Sequence, residues 1–219
     1  MLTDRILFID AEALVLNKPA GLPVDAPRAG GLSVESLLES LRFGFQRSPS
    51  PVHRLDRDTS GCLLLARNPK AHKRFAAAFE AGLAEKIYLA VLEGVPTETE
   101  GRITLALSKR STREEGWRMV PDRQGKPAVT DWRLLGTADG RALVEFRPST
   151  GRTHQLRVHA AQALGHPIVG DPVYGRGGSA MLLHARHLRL PRDPKPAIEG
   201  EAPLPESFAR WTDFVDVAA

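Results

Sequence analysis

Apolar residues along this chain fall into short runs separated by breaker clusters, and the spacing within each run sorts strands from helices. Cys62 and residues 63–66 form a continuous apolar run between Ser60-Gly61 and Arg67-Asn68-Pro69. About five such residues bounded by turn formers predict a buried strand. Residues 86–92 place Tyr88, Ala90 and Leu92 on one face and Ile87, Leu89 and Val91 on the other, so this strand belongs in the middle of a sheet. Residues 6–9 and 13–16 read as a hairpin turned at Asp10, ended by the breakers Asn17-Lys18-Pro19-Ala20-Gly21. Residues 102–108, 128–135 and 141–147 add three strands, and residues 182–190 alternate from His184 onward as a half-buried strand.

Helical spacing is rarer. Ser33 is an N-cap for Val34, Leu37, Leu38 and Leu41, with the helix ending before Gly44. Pro69 opens a second helix whose apolar face is Phe75, Ala78, Phe79 and Leu83. Thr153 reads as the cap of a third, through Leu156, Ala160, Ala163 and Leu164, which puts His154, Arg157, Val158 and Ala161 on one face. A fourth closes the chain over residues 205–217. Residues 23–31, rich in proline and glycine, are loop, residues 48–51 run extended because residues preceding proline avoid the helical region, and residues 109–122, basic and irregular around Trp117, are a mobile loop or a surface hairpin. Adjacent strands with few helices between them predict an α+β fold with a mixed, largely antiparallel central sheet flanked by helices and loops.

Composition adds limits. With 219 residues and 42% hydrophobic content there is chain for a sizeable core, and its apolar runs are far below the roughly 20 residues that span a bilayer. The N-terminus lacks a basic start followed by an apolar segment, so a cytoplasmic protein without membrane contact is expected. The single cysteine excludes an internal disulfide and reads as a buried small hydrophobe. The net charge of +4 is unevenly spread: residues 151–192 carry a balance of +5, all six cations arginine, and residues 193–219 a balance of −4. Arginine suits phosphate and base edges, so a polyanion is the natural partner.

The polar loop at residues 53–61 lies at the mouth of the buried strand, where a rigid element can fix an accessible carboxylate. Asp56 and Asp58 read equally as turn residues or as site carboxylates, with Arg54 and Arg57 beside them. A carboxylate near a cation stays ionised, which suits a nucleophile or base. The histidines show no zincin spacing, Ser60 has no nucleophile elbow, and no Walker-type loop occurs. A metal-dependent phosphoesterase using Asp56, Asp58 and histidines, and a non-catalytic RNA-binding module, remain the alternatives.

Five ordered motifs carry a resemblance. They are Asn17-Lys18-Pro19-Ala20-Gly21-Leu22; His53-Arg54-Leu55-Asp56-Arg57-Asp58-Thr59-Ser60-Gly61; Lys86-Ile87-Tyr88-Leu89-Ala90; residues 151–159 followed by His166-Pro167-Ile168-Val169-Gly170-Asp171 with Tyr174-Gly175; and Leu183-His184-Ala185. Over nearly its whole length the chain resembles the RluA-type RNA pseudouridine synthases. The resemblance implies that Asp56 is the catalytic aspartate, that Tyr88 lies against the target base, and that Arg157 pairs with Asp56. It implies that Arg54 enters the RNA as the base leaves and that Leu183 packs beside the uracil. His53, Arg57, Thr59, Arg152 and His154 are assigned to substrate binding. No cofactor and no metal are expected. The expected partner is a structured ribosomal or transfer RNA stem-loop, met by a monomer. Residues 1–219 are expected to be one catalytic domain, since the Asn-Lys-Pro motif begins too early for a separate N-terminal RNA-binding domain.

Overall fold

The computed structural model describes residues 1–216 apart from Arg28 and Glu115. In chain order the first elements are β1 (Ile6–Ile9), β2 (Ala13–Lys18), α1 (Val34–Leu37), β3 (Ser50–Pro51), β4 (Ser60–Ala66) and α2 (Pro69–Glu80). Strands β5 (Glu85–Leu92), β6 (Glu100–Thr104), β7 (Leu107–Thr112), β8 (Gly116–Pro121), β9 (Val129–Ala138) and β10 (Arg141–Pro148) follow. The chain ends with α3 (Gln155–Val158), β11 (Leu183–Leu190), β12 (Ile198–Glu201) and α4 (Thr212–Asp216). The sheet is mixed and largely antiparallel, as its sequence pattern predicts. The chain divides into two compact units, Met1–Lys86 with His184–Pro203, and Ile87–Leu183 with Leu204–Ala219.

In the first unit the strand order is β1-β2-β4-β11, with β3 on β4 and β12 on β11. Asp10 turns the β1–β2 hairpin, its Oδ1 accepting the Glu12 and Ala13 N–H groups at 2.8 Å each. Strand β4 pairs antiparallel with β2 and parallel with β11, and all seven of its residues are buried. Its apolar continuity therefore reflects enclosure on both faces. Asn68 caps α2 and Pro69 fills its first turn, so that Ala71 and Phe75 pack with Cys62, Leu64 and Ala66. Leu83 does not belong to that face: the helix stops at Glu80, Gly82 turns at φ +72°, and Leu83 is left 58% exposed. Cys62 is buried and its thiol is pushed up to about 12 by desolvation.

In the second unit the order is β5-β10-β9-β6, antiparallel at each step, and β7 and β8 form a separate hairpin. The expected strand over 102–108 is thus two strands. Leu107 leaves the first to exchange backbone hydrogen bonds with Lys126, at 2.9 and 2.8 Å, and begins the hairpin. The expected helix from Thr153 is one α turn that widens into a π turn over His159–Ala163. Its N-cap is His154 in the left-handed region (φ +53°), because the buried Gln155 side chain dictates the entry. Gln155 Oε1 accepts from Arg152 N and Thr150 Oγ1, and Nε2 donates to Val129 O and Thr130 Oγ1. The C-terminal helix is a 3-10 segment, Glu206–Trp211, followed by α4, and Phe208 and Trp211 pack with Leu89, Val91 and Leu143. Val217, expected in that helix, lies outside the described residues.

Candidate active site

The loop before β4 is sewn to the strand it introduces. Val52 N donates to Leu64 O and Leu64 N donates to His53 Nε2, both at 3.0 Å, and the His53 ring stacks on Phe79 at 4.7 Å. A ring nitrogen that accepts a backbone N–H must be unprotonated, and desolvation with nearby Lys86 pushes His53 down to about 3. His53 is thereby a loop anchor. Asp56 follows, partly exposed, its carbonyl closing a turn by accepting Thr59 N–H at 3.1 Å. Thr59 is only 2% exposed.

The two carboxylates of the loop are set apart by their neighbours. Asp58 is held by Arg57, whose Nε and Nη2 donate at 2.9 and 3.0 Å, rather than by the backbone N–H groups of Thr59 and Ser60. Arg54 pairs with Asp25 at 2.8 Å, its side chain 75% exposed. Sequence reasoning placed Lys18 in a breaker cluster and in the first motif without a role of its own, and so missed the cation that organises this loop. Fully buried, its Nζ donates to Pro19 O at 2.9 Å, Leu22 O at 2.8 Å and Arg57 O at 3.0 Å. All three ammonium protons are used. Burial pushes Lys18 down to about 8, against the pull of Asp58 and Asp56. The signal available was a lysine two positions past the strand run 13–16, where a polar residue continuing a buried strand demands a partner.

Beyond the loop, Ser60 Oγ lies 2.8 Å from His184 Nδ1, and His184 Nε2 lies 3.3 Å from Ala202 O. A carbonyl can only accept, so Nε2 carries the proton and Nδ1 accepts from Ser60. Desolvation pushes His184 down to about 4. Gly61 has φ +106°, and a Cβ there would stand 2.1 Å from Ala185 O, so glycine is what lets β4 and β11 approach.

In the second unit, Tyr88 lies on β5 opposite Phe146 and packs, partly buried, against a cluster that includes Leu183. Arg157, on α3 and 5% exposed, makes a two-pronged ion pair with Asp171: Nε to Oδ2 and Nη2 to Oδ1, each 2.8 Å. Asp171 Oδ1 also accepts Val173 and Tyr174 N–H at 2.8 and 3.1 Å. Burial acts to raise the Asp171 carboxyl, but Arg157 and these N–H groups outweigh it and its shift is downward. Asp171 is the principal residue of this unit that sequence reasoning left without a role. Its signal was that it is the only acid within residues 151–192. Arg152 Nε donates to Pro127 O at 3.0 Å, and His154 Nδ1 lies 3.0 Å from Tyr174 Oη.

The arginine-rich segment is not the open polyanion face that its charge predicts. Besides Arg157, Arg176 pairs with Glu93, Arg186 with Glu201, Arg189 with Glu85, and Arg192 with Asp10 and Glu12. In the β7–β8 hairpin, by contrast, Lys109, Arg110 and Arg113 have no carboxylate partner among the described residues. Residues 109–122, expected as loop or hairpin, are the hairpin. No cluster of three or more metal-ligating side chains occurs among the described residues, and no helix there is long and apolar enough to cross a membrane.

The site thus consists of a carboxylate loop seated on a buried strand, with glycine and histidine contacts behind it, and comparison with known proteins identifies the family. A family model described as RNA pseudouridylate synthase matches residues 12–162. An uncharacterized RNA pseudouridine synthase of Zymomonas mobilis is 59% identical over 95% of this chain and 97% of its own length. Ribosomal large subunit pseudouridine synthase D of the same organism is 37% identical over 84% of this chain, which spans 63% of that protein. The solved structure of human RNA pseudouridylate synthase domain containing 4 superimposes with a TM-score of 0.80 at 28% identity, covering 98% of this chain and 94% of that one. The chain belongs to the RluA-type family of RNA pseudouridine synthases. Its members are isomerases that act on RNA.

Proposed function

We propose that this chain, as one catalytic domain working as a cytoplasmic monomer, converts specific uridines in structured ribosomal or transfer RNA stem-loops to pseudouridine. A stacked uridine is out of reach in place, so it is flipped out at a cost of a few kcal/mol. Arg54, largely exposed at the loop's edge, fills the space it leaves. Asp56 drives cleavage of the bond between uracil N1 and ribose C1′; C1′ is then joined to C5, the C5 proton leaves and N1 gains one. Tyr88 lies against the base and handles protons. Arg157 pairs with Asp56, and Asp171 fixes its orientation from the other side. Leu183 packs beside the uracil, and Arg57, Thr59, Arg152 and His154, with His53 holding the loop, complete the substrate contacts. No metal or cofactor takes part.

The observation that carries this reading is the Asp56 loop itself, clamped through Arg57 O by a buried lysine and rooted in a fully buried strand. Such a base lets a carboxylate meet a flipped nucleotide without rearranging. Asp56→Asn is expected to abolish tritium release from RNA labelled at uridine C5 while melting and RNA binding stay at the parent level, and full turnover is expected in EDTA. Retained tritium release by Asp56→Asn would overturn the assignment.

A further inference from the structure

The β7–β8 hairpin displays an aromatic ring. Trp117 is 45% exposed, whereas Trp132 and Trp211 are 7% and 4% exposed. Its indole stacks on the His154 ring with centroids 4.9 Å apart and planes at 21°. His154 is fixed in turn by Tyr174, with Nδ1 3.0 Å from Oη and the rings edge-on at 5.6 Å. The same hydroxyl accepts Met119 N–H at 2.9 Å and donates to Met119 O at 3.2 Å. A phenol has one proton, and here it goes to Met119 O, so His154 Nδ1 must be the donor in their contact. The Tyr174 ring also lies 5.2 Å from the Arg157 guanidinium. From exposed indole to buried ion pair, each group is held by the next.

A cation lies beside this ring: Lys109 Nζ is 5.3 Å from the indole centroid, and the strand register puts Lys109 and Trp117 on one face of the hairpin, with Arg110 on the other. A rigid aromatic held at a set tilt, with cations beside it, is the recurring platform for single-stranded nucleic acid: bases stack on the ring and phosphates meet the cations.

We propose that Trp117 is a stacking platform for an unpaired base of the RNA, outside the target uridine, with Lys109 receiving an adjacent phosphate and Tyr174 holding the platform in place. The identity of the polymer rests on the pseudouridine synthase reading; the platform adds a preference for single-stranded RNA flanking the modified site. Every base has a face to stack, so this contact selects unpaired nucleotides rather than a sequence.

Since Trp117 is the exposed tryptophan of the three, its emission reports directly on the platform. The full chain is titrated at low salt with oligouridylate of about a dozen nucleotides and with a fully paired RNA duplex of equal length. Oligouridylate is expected to quench the emission and the duplex to leave it unchanged. Trp117→Leu should bind oligouridylate about tenfold more weakly, as the loss of one stacked base implies, whereas Trp117→Tyr keeps an aromatic face and most of the affinity. Tyr174→Phe, which removes the hydroxyl alone, should make Trp117 more accessible to acrylamide in the free protein and give an affinity between those two. Melting curves for each variant separate an unfolded hairpin from a lost contact. Wild-type affinity in Trp117→Leu, or quenching by duplex equal to that by single strand, would overturn the proposal and leave the indole to its contacts with His154 and Lys109. The titration repeated in Asp56→Asn keeps the two readings apart. Turnover that survives that substitution would remove the catalytic assignment, and it would leave the platform's binding curve standing.

Discussion

Five of the six arginines in residues 152–192 have carboxylate partners, at Asp171, Glu93, Glu201, Glu85 and the Asp10–Glu12 pair, while in the β7–β8 hairpin Lys109, Arg110 and Arg113 have none among the described residues. Judged by sequence, the first region is the stronger polyanion candidate. Folding reverses that order, because an ion-paired guanidinium projects little field and an unpaired one on a hairpin projects most of its own. Cations in the first region hold elements together; those in the second are left for a partner.

Substitution at the two extremes should make the contrast measurable. Arg157→Met leaves Asp171, 0% exposed, without its counter-charge, and removal of one member of a buried pair costs about 3–5 kcal/mol. A drop of that size is expected in denaturant unfolding, and a loss below about 1 kcal/mol would place Arg157 with the hairpin cations instead.

Acid should also separate the regions. His159 and His184 are buried, and desolvation pushes both down to about 4, below the ordinary value of 6.5. Between these values the unfolded chain binds protons that the native state does not. Stability therefore falls as pH drops from 6.5 toward 4, by up to about 3 kcal/mol for each histidine. Asp171 is likewise shifted below its ordinary 3.8, but for an acid that favours the charged form, so its pair with Arg157 persists to lower pH and is lost last. Melting temperature followed over this range should decline, and His184→Asn should shallow the slope.

The smallest stability effect is expected at the exposed Lys109. Lys109→Ala should change unfolding free energy by less than about 0.5 kcal/mol, yet lower the slope of log affinity against log salt for RNA by about one. An unchanged slope would mean that the hairpin charges do not meet phosphate.

How far the chain could be read follows from the range of the forces involved. Strand β4 was legible because seven buried residues in a row leave a local signature, and so was Asp56 at its mouth. The break between β6 and β7 was not, because Ile103, Leu105 and Leu107 alternate as one strand would, and only the backbone exchange with Lys126 divides them. Helix α3 was misjudged at its cap because Gln155, a residue without capping signature, is anchored to β9 and outranks Thr153. Lys18 was missed because its acceptors are carbonyls, which no side-chain pattern reveals. The arginine partners lie up to 180 positions away, as with Arg192 and Glu12, beyond any window over which charge can be summed.

Lys109, Arg110 and Arg113 crowd one short hairpin, so dissolved ions brace it by screening their mutual repulsion, and the same ions compete for its sites once RNA arrives. Salt then acts on the two ends of one equilibrium with opposite sense. In dilute buffer the hairpin is strained and avid, in concentrated buffer relaxed and indifferent. Its amide exchange should slow with added salt in the free protein, and quicken with added salt when RNA is bound.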